Sequence, residues 1–135
     1  MNVTKIKALL EEMTSRVAGI KNILIVTDDG FPIVSTLEAG DEEMRATAVG
    51  AIISEAGQRG IKELELGDIE LNIAIGTYGY FVMKRLIPGT VLLVIVDSKN
   101  ESSSPLGLVL LRVRRMVPEL LVAMNEDPPL VRAEG

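Results

Sequence analysis

The sequence predicts an α/β sandwich, a five-stranded antiparallel sheet with helices on both faces. Three observations predict it. Apolar periodicity puts the segments in the order α-ββ-α-βββ-α. Two strands, 22–27 and 91–96, are almost wholly apolar, so each belongs in the middle of a sheet covered on both sides. A third, 31–36, contains Pro32 and so lacks a ladder donor, which suits an edge.

The first helix is expected over 3–18. Val3, Ile6, Leu9, Leu10, Met13 and Val17 recur at steps of three and four, with Lys5, Lys7, Glu11, Glu12 and Arg16 on the other side. Gly19 is its stop signal. Asp28, Asp29 and Gly30 supply the turn between the first two strands. Asp41 reads as the N-cap of a second helix over 41–60, and Glu42 and Glu43 suit its positive end. That helix has an apolar stripe (Ala48, Val49, Ile52, Ile53, Ala56) and a ridge of small residues (Ala46, Gly50, Ser54, Gly57). Strands 70–77, 79–86 and 90–96 form a meander turned at Gly79 and at Pro88-Gly89. In the first of them Leu71, Ile73 and Ile75 share one face, and Glu70, Asn72 and Ala74 the other. Ser104 is the expected cap of the last helix and Pro105 its first residue, with Pro118 as an internal kink. Residues 1–125 make one domain, and 126–135, with Pro128 and Pro129, a flexible tail.

Composition removes several chemistries. Without cysteine there is no disulfide, thiolate nucleophile or cysteine-based metal site, and without histidine the commonest general base and zinc ligand are missing. No catalytic, cofactor or metal residue stands out, and the expectation is a non-enzyme with no cofactor. A net charge of −5 disfavours general nucleic-acid binding. The longest apolar runs fall far short of the ~20 residues of a membrane span, and the N-terminus lacks the build of a signal peptide. These readings imply a cytoplasmic protein without membrane insertion.

Hairpin and meander together give the sheet order 2-1-5-4-3. Strand 70–77 is then an edge that Glu70 and Asn72 only partly protect. Pairing with the same strand of a second copy about a two-fold axis resolves it. Glycine inside a helix costs about 1 kcal/mol relative to alanine, and Gly50 and Gly57 both accept that cost. A small-residue ridge lets another helix approach closely. The expected dimer interface is therefore Ala46, Gly50, Ser54 and Gly57 on the helix, with Glu70, Leu71, Asn72, Ile73, Ala74 and Ile75 on the strand.

Several short stretches in this order resemble a Roadblock/dynein light chain domain of the MglB-like, stand-alone prokaryotic type. They are Gly19-Ile20-Lys21-Asn22, Asp28-Asp29-Gly30-Phe31-Pro32-Ile33, Gly67-Asp68, Tyr78-Gly79-Tyr80 and Leu106-Gly107-Leu108. The resemblance covers about residues 3 to 125. Ser102-Ser103-Ser104-Pro105 departs from the asparagine-containing stretch expected before the last helix. The resemblance implies a profilin-like α-β-α sandwich, dimerisation, and work as a regulator of, or scaffold for, a small Ras-like GTPase. The GTPase is expected on the paired second helices, at Glu42, Glu43, Arg45, Thr47 and Arg59. The alternative is a dimeric scaffold without effect on nucleotide turnover.

Other features have plainer readings. Gly76-Thr77-Tyr78-Gly79 lacks the lysine and strand-to-helix context of a phosphate loop and reads as a hairpin turn. The adjacent carboxylate pairs are turn or solvated helix positions. Arg112, Arg114 and Arg115 read as solubilising surface. Of Tyr78, Tyr80 and Phe81, packing between strand and helix is the common use, an exposed anchor the rarer one.

Overall fold

The computed structural model describes residues 1–99 and 103–127. Its elements are α1 (Val3–Arg16), β1 (Ile20–Thr27), β2 (Pro32–Ser35), α2 (Asp41–Glu63), β3 (Leu71–Gly76), β4 (Gly79–Arg85), β5 (Thr90–Asp97) and α3 (Leu106–Asn125). The five strands form one antiparallel sheet in the order β2-β1-β5-β4-β3, as expected.

Strand alternation divides the core in two. Ile23, Ile25, Val82, Leu92 and Val94 point to α1 and α3, where Ile6, Leu10, Val109, Val113 and Leu120 cover them. Leu24, Val26, Met83, Val91 and Leu93 point to α2. All four residues from Ile23 to Val26 are fully buried, because β1 has a helical layer on each side. Pro32 sits on the β2 edge opposite Val26. The turn before it depends on Gly30 at φ +93°, which an L side chain rarely adopts.

Helix ends differ from the sequence reading by a residue or a turn. α2 is capped by Gly40 without a side-chain bond, and Asp41 is its first residue. It runs on past Gly60 to Glu63. Pro105 rather than Ser104 caps α3. Ser104 is buried, and its backbone is engaged on both sides: its N–H donates to the Ala18 carbonyl at 2.7 Å, and its carbonyl accepts from the Tyr80 hydroxyl at 3.0 Å. Burial pushes the Tyr80 hydroxyl above its ordinary pKa. Pro118 stands on the exposed side of α3, where the Arg114 carbonyl it leaves unpaired can meet water.

The tail expected over 126–135 lies outside the described residues apart from Glu126 and Asp127. Glu126 is docked: its carboxylate accepts from Lys5 Nζ at 2.9 Å and Asn2 Nδ2 at 3.2 Å. These bonds hold its pKa below the usual carboxylate value, the Lys5 bond foremost. Together with the Asn2 N–H to Ala123 carbonyl bond of 2.8 Å, they fasten the start of α1 to the end of α3.

Candidate interaction surface

α2 enters from the β2 edge and crosses the sheet obliquely. At Gly50 it lies over Val26, Leu93 and Met83, and at Gly57 over Ile69 and Asn72. One helix of this width cannot cover five strands, so the sheet is left open on both sides of α2. The first opening, of about 620 Å³, is floored by Phe81, Leu93, Ile95 and Ala74, and rimmed by Lys21, Glu42, Arg45 and Lys99. The second, of about 550 Å³, lies by the C-terminal half of α2, between Gln58, Arg59, Lys62, Asn72 and Arg85.

The two lines of α2 face opposite to the sequence reading. A Cβ on Gly50 would stand 3.4 Å from Leu93 and 3.6 Å from Val26. One on Gly57 would stand 2.6 Å from Ile69 and 2.7 Å from Asn72. Ala46 packs on the buried cluster beneath α2. Ser54 lines the second opening. The small ridge thus lets α2 approach its own sheet. Asn72 donates to the Ile53 carbonyl at 3.3 Å. Gln58 receives the Ile69 N–H at 2.8 Å and donates to Asp68 at 3.0 Å. These contacts fasten the C-terminal half of α2 to the entry of β3.

The apolar stripe points out except at Ile53, which packs on the buried cluster beneath α2. Ile52 and Met44 are each 68% exposed, and Ala48, Val49 and Ala56 are exposed beside them. Periodicity finds such a stripe but cannot say which of two small or apolar lines meets the chain's own sheet; that depends on how close the helix must come.

β3 is an edge, paired only with β4. Ile73 packs into the α1/α3 core, and Asn72 turns to α2. Glu70, Leu71, Ala74 and Ile75 are exposed, Ile75 at 73%. Tyr78, at the hairpin beyond, is also exposed, whereas Tyr80 and Phe81 pack against the two cores.

Of the residues expected to meet a GTPase, Glu42 and Arg45 are exposed on the rim of the first opening, and Glu43 is half-buried. Arg59 is exposed, pairs with Glu55 at 3.1 Å and stands about 21 Å further along the helix axis from Arg45. Thr47 is a correction. It is 1% exposed on the sheet side of α2, and its hydroxyl has no hydrogen-bond partner among the described residues. It cannot meet a partner that lands on the outside of the helix.

Among the described residues, no group of three or more acidic or metal-binding side chains could hold a metal ion, and no helix is long and apolar enough to cross a membrane. What α2 and β3 offer is contact area: an outward apolar helix line, an unpaired strand and an apolar hollow between them.

No family model matches the chain, and no curated protein matches it. Solved structures do. MglB of Myxococcus xanthus is 25% identical over 92% of this chain and 98% of its own, with a TM-score of 0.77. The gliding protein MglB of Thermus thermophilus is 19% identical over 93% of this chain and 92% of its own, also at 0.77. The Roadblock/LC7 domain of Streptomyces avermitilis is 16% identical over 85% of this chain and 97% of its own, at 0.69. This chain has the Roadblock/MglB architecture, and the resemblance drawn from its segment order stands.

Proposed function

We propose that this Roadblock/MglB-like chain is a non-enzymatic, homodimeric regulatory partner of a small Ras-like GTPase. One observation carries the reading: a long helix with an outward apolar line lies beside an unpaired edge strand, and an apolar hollow separates them. Pairing β3 with β3 of a second copy, antiparallel about a two-fold axis, satisfies the edge. It also brings the C-terminal half of the partner's α2 over the first hollow. Val49, Ile52 and Ala56 then supply the helix contact, in place of the small ridge, with Leu71, Ala74 and Ile75 on the strand. The paired helices present Arg45, Glu42 and Arg59 on the outside to the GTPase.

The assignment to a GTPase rests on the family resemblance; the dimer rests on the surface. Two measurements keep them apart. Sedimentation of the purified chain should give a dimer that Ile52→Asp dissociates; a monomeric wild type overturns the dimer. Capture from source-cell lysate, with GDP and with a non-hydrolysable GTP analogue, should retain a Ras-like GTPase preferentially with the analogue. Retention of none in either state overturns the partner assignment. With the GTPase in hand, a turnover assay separates an activator from a scaffold, which would leave hydrolysis unchanged.

A further inference from the structure

The outside of α3, on the opposite face of the sheet from α2, is unlike the rest of the surface. Its inward line is Val109, Val113, Met116 and Leu120. Helical spacing sets Leu111, Arg115, Pro118 and Val122 on the opposite line, all exposed, with Arg112 on one flank and Arg114 on the other. Leu111 is 42% and Val122 56% exposed. Glu119 is the only carboxylate in the helix. Among the described residues, the ion pairs within 4.0 Å involve Lys5, Arg16 and Arg59, and none involves an arginine of α3. The chain carries a net −5, yet this helix is basic. Carboxylates cluster at Asp28 and Asp29 in the first hairpin and at Asp41, Glu42 and Glu43 opening α2; beside the ridge, Glu12 of α1 and Glu119 share the α1/α3 groove with Arg16, Arg112 and Arg115, leaving the arginines in excess.

We propose that this ridge adsorbs to an anionic phospholipid surface, with Leu111 and Val122 at the acyl boundary and Arg112, Arg114 and Arg115 on lipid phosphates. Charge complementarity selects an acidic partner, and shape selects a plane. A protein partner is gripped by an anchor side chain in a desolvated pocket. The cavity beside this ridge, between α1 and α3, measures about 160 Å³, below the ~300 Å³ at which ligand pockets begin. A convex ridge with Leu111 and Val122 at its ends, Arg115 and Pro118 between them and Arg112 and Arg114 on its flanks instead suits the membrane interface, where arginines reach phosphates and apolar side chains the acyl boundary. Such adsorption needs no spanning segment. It leaves the α2 face free, so it goes beyond the GTPase reading and does not depend on it.

The test is co-sedimentation of the full chain with vesicles of phosphatidylcholine alone, and with vesicles in which a third of the lipid is phosphatidylglycerol. The chain should pellet with the anionic vesicles only, and less at high salt. Arg112→Gln, Arg114→Gln and Arg115→Gln combined should weaken partitioning on the order of a hundredfold. Leu111→Ser with Val122→Ser should weaken it severalfold and keep the salt dependence. All five positions are exposed, and an unchanged circular-dichroism spectrum checks that each variant folds. No pelleting with anionic vesicles, equal pelleting with neutral ones, or binding that survives the arginine changes overturns the proposal. Arginine-dependent retention on polyglutamate without vesicle binding also overturns it, and assigns the ridge to an acidic protein.

Discussion

On one face of the sheet, α1 and α3 lay Ile6, Leu10, Val109, Val113 and Leu120 onto Ile23, Ile25, Leu92 and Val94, and every one of these side chains is buried. On the other face a single helix meets a smaller buried cluster, Leu24, Val26, Met83, Val91 and Leu93. Phe81, Ile95 and Ala46 there are only half-covered, and Ile52 stands out in solvent. Two helices cover the face up to Leu71 and Ile75 on the β3 edge, and one helix leaves openings on both its sides. The first face therefore sustains the fold, and the second holds apolar surface in reserve for another molecule. Burial of such surface stabilises by about 25 cal/mol per Å², whichever chain supplies the cover.

Substitutions on the two faces should separate accordingly. The largest effect is expected from Leu120→Ala, which opens a cavity under α3 and should lower unfolding free energy by about 2–5 kcal/mol in a denaturant titration. Gly50→Leu comes next. Its side chain would run into Leu93, Val26 and Met83, at a cost of about 1–3 kcal/mol read by thermal melting. A Gly50→Leu chain of native stability that has merely lost self-association would return the small ridge to the partner side and break the comparison. Ile52→Asp sharpens it from the other direction. At a concentration low enough that the parent is monomeric too, stability should stay within about 0.5 kcal/mol of the parent, while at higher concentration self-association is lost. The smallest effect belongs to Glu126→Gln. The carboxylate's pKa is lowered in the folded chain, so its contribution is present above the ordinary carboxylate value and fades as pH falls through the lowered one. The variant should melt with a flatter acid limb than the parent below the ordinary carboxylate range, and at the same temperature or slightly lower near neutrality.

The fold was legible because its signals are local and redundant. Ile23–Val26 and Val91–Val96 require two covering layers, Pro32 requires an edge, and the hairpins at Gly30 and Gly79 then leave one sheet order. The edge strand β3 was legible for the same reason. The orientation of α2 was not. Gly50 and Gly57 signal close approach, but a helix can come close to its own sheet or to another helix with the same residues. Thr47 was misread with them, since its place on the sheet side follows from that orientation. Asn72 was read as edge protection and a strand contact of the dimer, a different role from the one it has. It serves as a tie between β3 and the Ile53 carbonyl, and nothing in alternating strand sequence distinguishes a tie from a solvated amide. The apolar-basic line of α3 was visible residue by residue, yet only the position of α3 on the outside of the sandwich makes it a surface.

The central ladder of the sheet joins β1 to β5, with β2, α2, β3 and β4 all lying between them in the chain. On a ribosome, β1 is made early and must wait for its main neighbour until most of the molecule has emerged. Its unbroken apolar run is exposed for that interval, shielded on one side only by the β2 hairpin. The final docking of α1 waits longer still, for α3. Nascent chains stalled before Thr90 should accordingly be protease-sensitive throughout and bind holding chaperones at Ile23–Val26, with resistance arriving in one step once α3 clears the exit tunnel.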